Sequence, residues 1–142
     1  MSPIERAFVE TPSGRVHVAA CGTGQPVLLL HQTPRSWNEY RDVLPLLGAS
    51  RRAIAMDTMG YGDSDPLPDD EDSIEAWARA AHELLDALGH DKAAVVGHHT
   101  GAAIAVEVAA QRPERVEALV LSACPYVDAA RRAKEHGRQI ID

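Results

Sequence analysis

The chain has 142 residues, enough for one hydrophobic core and too few for two ordinary domains. It carries 14 Lys and Arg against 21 Asp and Glu, and the resulting formal charge of −7 disfavours nucleic acids and anionic membranes as partners. The start, Met1-Ser-Pro-Ile-Glu-Arg6, has no basic stretch leading into an apolar core, and no later run approaches the ~18 apolar residues of a membrane span. A cytoplasmic protein is therefore expected, and Cys21 and Cys124, which lack metal-type spacing, are expected to be small core residues.

Taken in chain order, strand-like and helix-like patterns alternate, the signature of a sheet covered on both faces by crossover helices. Arg6 to Glu10 and Arg15 to Cys21 flank Thr11-Pro-Ser-Gly14, with Val16, Val18 and Ala20 alternating, and are expected to form an antiparallel hairpin at the sheet edge. Pro26-Val-Leu-Leu-Leu-His31 is a continuous apolar run of the kind found in strands buried on both faces. Arg52 to Asp57, Ala93 to Gly97 and Ala118 to Ser122 repeat that pattern, so about six strands are expected, four of them parallel.

The intervening segments carry helix signals. Ser36-Trp-Asn-Glu39 has capping-box spacing before Tyr40, Val43, Leu44 and Leu47, with Pro45 expected to end or kink that helix. Asp72-Ser-Ile-Glu75 is a second cap signal, followed by a stripe through Ile74, Trp77, Ala81, Leu84 and Leu88 and a terminating Gly89. From Thr100 to Gln111 only Glu107 is charged, and the Gly and Ala series there suits a helix lying close on a sheet. The fold class expected is α/β, a three-layer αβα sandwich. Residues 1–127 are assigned to its core, and 128–142 to the start of a lid segment or to a poorly anchored tail.

Gly97-His-His-Thr-Gly101 falls at a strand-to-helix junction, where a Gly-x-nucleophile-x-Gly turn belongs. Such a turn forces its middle residue, here His99, into a strained backbone conformation, and small flanking residues relieve the clash. Two further motifs precede it: His31-Gln-Thr-Pro34 after the first buried strand and Asp57-Thr-Met-Gly-Tyr-Gly-Asp-Ser64 after the second.

These three motifs, in this order, resemble the α/β-hydrolase fold family from about residue 4 to residue 124. The resemblance implies that His99 occupies the nucleophile position and that the backbone N–H of Thr100 is one oxyanion donor, with Thr33 supplying the other. It further implies cofactor-independent hydrolysis of a small, partly apolar molecule such as an ester, lactone, epoxide or halide. Two departures stand out. The family places Ser, Asp or Cys where His99 stands, and Gln32 replaces its glycine, adding a polar group that binds substrate or narrows the pocket.

In the family the acid and base of the triad follow the sixth strand. Asp128 and His136 are the candidates near the end here, both in the expected lid segment, and the chain by itself is expected to be inactive. His98 either lines the pocket or hydrogen-bonds inside the turn. His31 and Asp57 are read as loop organisers, and His17, His82, His90 and His136 as surface positions. Two alternatives accompany the hydrolase reading: a noncatalytic remnant or small-molecule binding module, and a metal site on His31, His98, His99 and Asp57. The strand Ala118 to Ser122, with Leu119, Val120 and Leu121 in succession, is expected to be an exposed sheet edge that promotes self-association.

Overall fold

The computed structural model describes residues 2–125. Six strands, β1 (Glu5–Thr11), β2 (Gly14–Cys21), β3 (Pro26–Leu30), β4 (Arg52–Met56), β5 (Ala93–His98) and β6 (Val116–Ser122), form one sheet in the order β1-β2-β4-β3-β5-β6. The hairpin strands are antiparallel, β2 pairing with both β1 and β4, and β4, β3, β5 and β6 run parallel. Three α-helices connect them: α1 (Leu44–Gly48), α2 (Ile74–Ala87) and α3 (Thr100–Gln111).

The pleat explains why both faces are apolar. Leu28 and Leu30 of β3 point to one face with Val16, Val18 and Ile54, where Ala78, Leu84 and Leu85 of α2 and Ile104 and Val108 of α3 cover them. Val27 and Leu29 point to the other, beside Ala19, Cys21, Ala53 and Ala55, under Tyr40 and Leu44. Each fully buried Leu contributes roughly 1.5–3 kcal/mol of transfer free energy. The architecture is the three-layer αβα sandwich expected, with helices on both sides of a mostly parallel sheet.

Several local expectations are corrected. Only β1 of the hairpin is an edge; β2 lies inside the sheet, so both of its faces are covered and His17 is buried rather than exposed. His82 is buried as well, its Nε2 paired with the Val108 carbonyl oxygen where α2 packs on α3. The single helix expected after Ser36 is a 3-10 turn, Trp37–Tyr40, followed by the short α1. Pro45 sits in the first turn of α1, where its missing N–H costs no hydrogen bond, so it helps begin that helix instead of ending one. Ser73 rather than Asp72 caps α2, its hydroxyl accepting from the Ala76 N–H. Cys21 is buried as expected, whereas Cys124 is exposed.

Among the described residues no helix is long and apolar enough to cross a membrane. The expectations for Asp128, His136 and residues 128–142 lie outside the described residues.

Candidate functional site

The C-terminal ends of β3 and β5 are neighbours in the sheet, Leu30 lying beside Gly97, so the loops that follow them open on the same crevice. At the end of β5 the chain turns at once into α3. His99 makes that turn with φ 55 and ψ −116, outside the regions ordinary L-residues occupy. Its N–H donates to the Ser122 carbonyl and its own carbonyl accepts from the Ala102 N–H, which pins the strained conformation from both sides.

The two glycines are there because nothing larger fits. A Cβ on Gly97 would land on the Gly101 carbonyl, and a Cβ on Gly101 would land on the Leu30 carbonyl of the adjacent strand. The side chain that emerges between them, His99, is exposed at the crest of the sheet. Among the described residues no side chain hydrogen-bonds its ring, and the His98 ring lies 6.5 Å away, centroid to centroid. His98 itself is tied by Nδ1 to the Ser122 hydroxyl at 3.0 Å.

Thr33 and Thr100 meet over the start of α3, with the Thr33 hydroxyl donating to the Thr100 hydroxyl at 3.2 Å. Thr100 opens the helix, where backbone N–H groups have no intrahelical acceptor and the helix dipole favours negative charge. Gln32 is held by its backbone: its N–H donates to Glu39 Oε2, and its carbonyl accepts from the Arg35 N–H and the His31 ring. The structure thus brings Thr33, Thr100, His98 and His99 to one end of the sheet, with Gln32 beside them.

His31 and Asp57 stand beneath this end and organise it. The Thr58 N–H donates to His31 Nε2 at 3.0 Å, so the ring proton is on Nδ1 and donates to the Gln32 carbonyl at 2.8 Å. Burial holds the His31 pKa below the ordinary 6.5, against the opposing pull of that carbonyl and of Asp57. Burial likewise lowers His82. In the unfolded chain both rings take up protons below about pH 6.5, while the folded state resists. The stability that neutral burial contributes is therefore complete above that pH and is lost as pH falls through the folded-state values. The thermal midpoint is expected to fall between pH 7 and pH 5 and to change little between pH 7 and pH 8.

Asp57 organises its loops as expected, and its pairing with His17 is the part the sequence did not reveal. Its Oδ1 accepts from the Trp37 N–H at 2.7 Å, and its Oδ2 accepts from the Asp63 N–H and from His17, both at 2.9 Å. Arg6 Nε–H donates to the other ring nitrogen of His17, so that nitrogen is an acceptor and the His17 proton faces Asp57. Arg6 also pairs with Asp63 at 3.0 Å and lies over the Trp37 ring. The position of His17 in an alternating strand was visible in the sequence; that the strand is internal was not.

The four-residue metal set does not assemble. Both nitrogens of His31 are used by backbone groups, and Asp57 turns away toward His17. Among the described residues the group close enough to share an ion is instead His17, Asp57 and Asp63, whose atoms are engaged with one another's loops and with Arg6.

Comparison with known proteins agrees with this geometry. The model of the alpha/beta hydrolase fold family matches residues 25–140. Epoxide hydrolase 3 of Siraitia grosvenorii is 41% identical over 123 residues, covering 84% of this chain and 39% of its own length. Haloalkane dehalogenase 2 of Mycobacterium tuberculosis is 34% identical over 119 residues, covering 84% and 42%. The structure of an epoxide hydrolase from an endophytic Streptomyces superposes with a TM-score of 0.82 at 40% identity, over 87% of this chain and 38% of that one. N-acyl homoserine lactonase AidH gives 0.81 at 31% identity, over 87% and 46%. The chain spans roughly two fifths of the length of these relatives. With the family model matched over most of the chain and the strand-turn-helix of the nucleophile position in place, this chain belongs to the α/β-hydrolase fold family.

Proposed function

We propose that the chain forms the nucleophile-turn part of a hydrolase for a small, partly apolar molecule of the ester, lactone, epoxide or halide class. The observation that carries this reading is the conformation of His99, a strained non-glycine residue held between two obligatory glycines at the mouth of a helix. In this reading His99 occupies the reacting position. The Thr100 N–H and Thr33 stabilise negative charge on the substrate oxygen, and Gln32 and His98 line the approach. The chemistry calls for no cofactor. In this reading residues 1–127 are assigned to the core. Two free cysteines, Cys21 and Cys124, fit a reducing, cytoplasmic setting.

By itself the 142-residue chain is expected to hydrolyse p-nitrophenyl acetate no faster than an equal concentration of free imidazole. An oxyanion site without a base bonded to the reacting group supplies only part of the rate. His99→Ser should not raise the rate. Turnover well above the imidazole control, abolished by His99→Ala, would overturn the expectation of inactivity. The unbonded ring of His99 among the described residues favours a second reading, a noncatalytic binding module. Saturable binding of a small ester with no turnover even when the remainder of a family enzyme is supplied in trans would support it.

The sheet edge bears on assembly. β6 pairs with β5 alone among the described strands, and Leu119, Val120 and Leu121 are 37%, 53% and 40% exposed. A groove of about 440 Å³ opens beside it over Val27, Ala94, Val96, Ala118 and Val120. Self-association through this edge is expected, because unpaired strand groups and exposed apolar side chains both seek a partner. Sedimentation should show concentration-dependent oligomers that Val120→Lys suppresses; a monomer at high micromolar concentration would contradict it.

A further inference from the structure

An imidazole at the reacting position treats acyl and alkyl electrophiles differently, and that difference divides the substrate classes left open above. We propose that His99 captures alkyl electrophiles, epoxides above all, once and without release, so that the reaction this site can complete is acyl transfer to water. The inference rests on the hydrolase reading of His99.

With an ester or lactone, one ring nitrogen of neutral His99 attacks the acyl carbon, the C–O bond to the alcohol breaks, and the alcohol leaves with a proton. The resulting N-acylimidazole has a good leaving group in its ring. Water attacks the acyl carbon, the acid departs and the imidazole is restored. With an epoxide the same nitrogen attacks a ring carbon and the C–O bond opens to an alkoxide. The proton on the other nitrogen reaches that alkoxide through solvent. The product is a neutral N-alkylimidazole bearing a hydroxyl, the sum of the two reactants. It has no acyl carbon for water to attack, and expelling imidazole from a saturated carbon is slow, so the chain stays modified. A haloalkane ends at the same point, the halide leaving and the displaced proton passing to solvent.

The structure makes His99 the ring to be modified. Of the six described histidines, His17, His31 and His82 are buried with bonded rings, and His98 is held by Ser122. His90 is half-buried, away from the turn at the far end of α2. His99 is exposed, its ring is unbonded among the described residues, and it directly precedes Thr100, whose backbone N–H opens α3.

The test uses the chain carrying Cys124→Ser, because the exposed Cys124 thiol would compete for electrophiles. Styrene oxide and, separately, p-nitrophenyl acetate are added, adducts are mapped by peptide mass spectrometry, and free diol and nitrophenol are measured. The expected result is one stable epoxide adduct at His99, forming about tenfold faster there than at His90 or His98, which corresponds to about 1.4 kcal/mol, with no diol. The acetyl adduct at His99 should be transient. His99→Ala should abolish both adducts, and His90→Ala, away from the turn, should leave both in place.

Diol in excess of one equivalent per chain, lost in His99→Ala, would overturn the inference while leaving the hydrolase reading intact. So would transient acetylation of His99 with no epoxide adduct there. Acetyl and epoxide adducts spread evenly over His90, His98 and His99 would overturn both, because His99 would then be an ordinary surface histidine.

Discussion

Gly101→Ala is expected to prevent folding, or to cost upwards of about 4 kcal/mol, although helix propensity alone argues for a gain of about 1 kcal/mol. The position lies in the first turn of α3, and the added methyl would overlap the Leu30 carbonyl oxygen and approach that of His31 to 2.7 Å. Both atoms are backbone of the strand and loop beneath, so no flexible side chain can yield, and α3 would have to lift off β3. Lifting it would uncover Ile104, Ala105 and Val108, all buried against the sheet. A useful contrast is Gly89→Ala, where no atom lies within 4 Å of the added methyl and the cost is the positive φ alone, on the order of 1 kcal/mol. Urea denaturation of the two variants separates the effects. A Gly101→Ala protein as stable as the parent would mean that the close crossing of α3 over β3 is not present in solution.

That crossing was legible in the sequence because it has a compositional cost. Only small residues permit it, so Gly97, Gly101, Ala102 and Ala105 announce it beside the apolar run Ala93 to Val96. The four parallel strands were equally plain, since a strand buried on both faces must read as an unbroken apolar run. Strand β2 was harder. A strand internal to a sheet but lying near one edge alternates Val16, Val18 and Ala20 with His17, Ala19 and Cys21, and Ala and Cys leave open whether the second face is wet or dry. The answer depends on β4 pairing with β2, a contact between residues more than thirty positions apart, Ala53 and Cys21 among them. Local capping was partly legible. Ser36 caps its turn, but Glu39 does not close the box, because its carboxylate is used on the Gln32 N–H, a partner that only the tertiary fold brings near. For the site, Thr33, Thr100, His98 and His99 were placed by motif order, whereas the pairing of Asp57 with His17 and the bond from Arg6 required three separate segments to converge.

Asp57→Ala should cost about 3–5 kcal/mol, the range found when one partner of a buried polar pair is removed. The carboxylate is 1% exposed and accepts three hydrogen bonds, from the Trp37 N–H, the Asp63 N–H and His17. Its removal leaves three donors in or near the core without an acceptor, each at about 1–3 kcal/mol before relaxation. The alternative of rotating the His17 proton to its other nitrogen is closed, because Arg6 Nε–H already donates there. Asp57→Asn should fall between parent and Ala, since an amide keeps one acceptor oxygen but turns a second donor toward Asp63 N–H or His17. His17→Ala should cost less, about 2 kcal/mol, because Asp57 retains its two backbone donors. In a double-mutant cycle the two losses should fall short of additivity by 1 kcal/mol or more, as neighbours sharing a hydrogen bond do. Trp37, whose backbone N–H is one of the three donors, carries an indole that reports the loop directly. Its fluorescence, read in a Trp77→Phe background, should shift toward that of a solvated indole in Asp57→Ala under conditions where far-UV circular dichroism still shows the parent fold. An Asp57→Ala chain within about 0.5 kcal/mol of the parent, with unchanged Trp37 emission, would show that the loop carrying Gln32 and Thr33 is held by something other than this carboxylate.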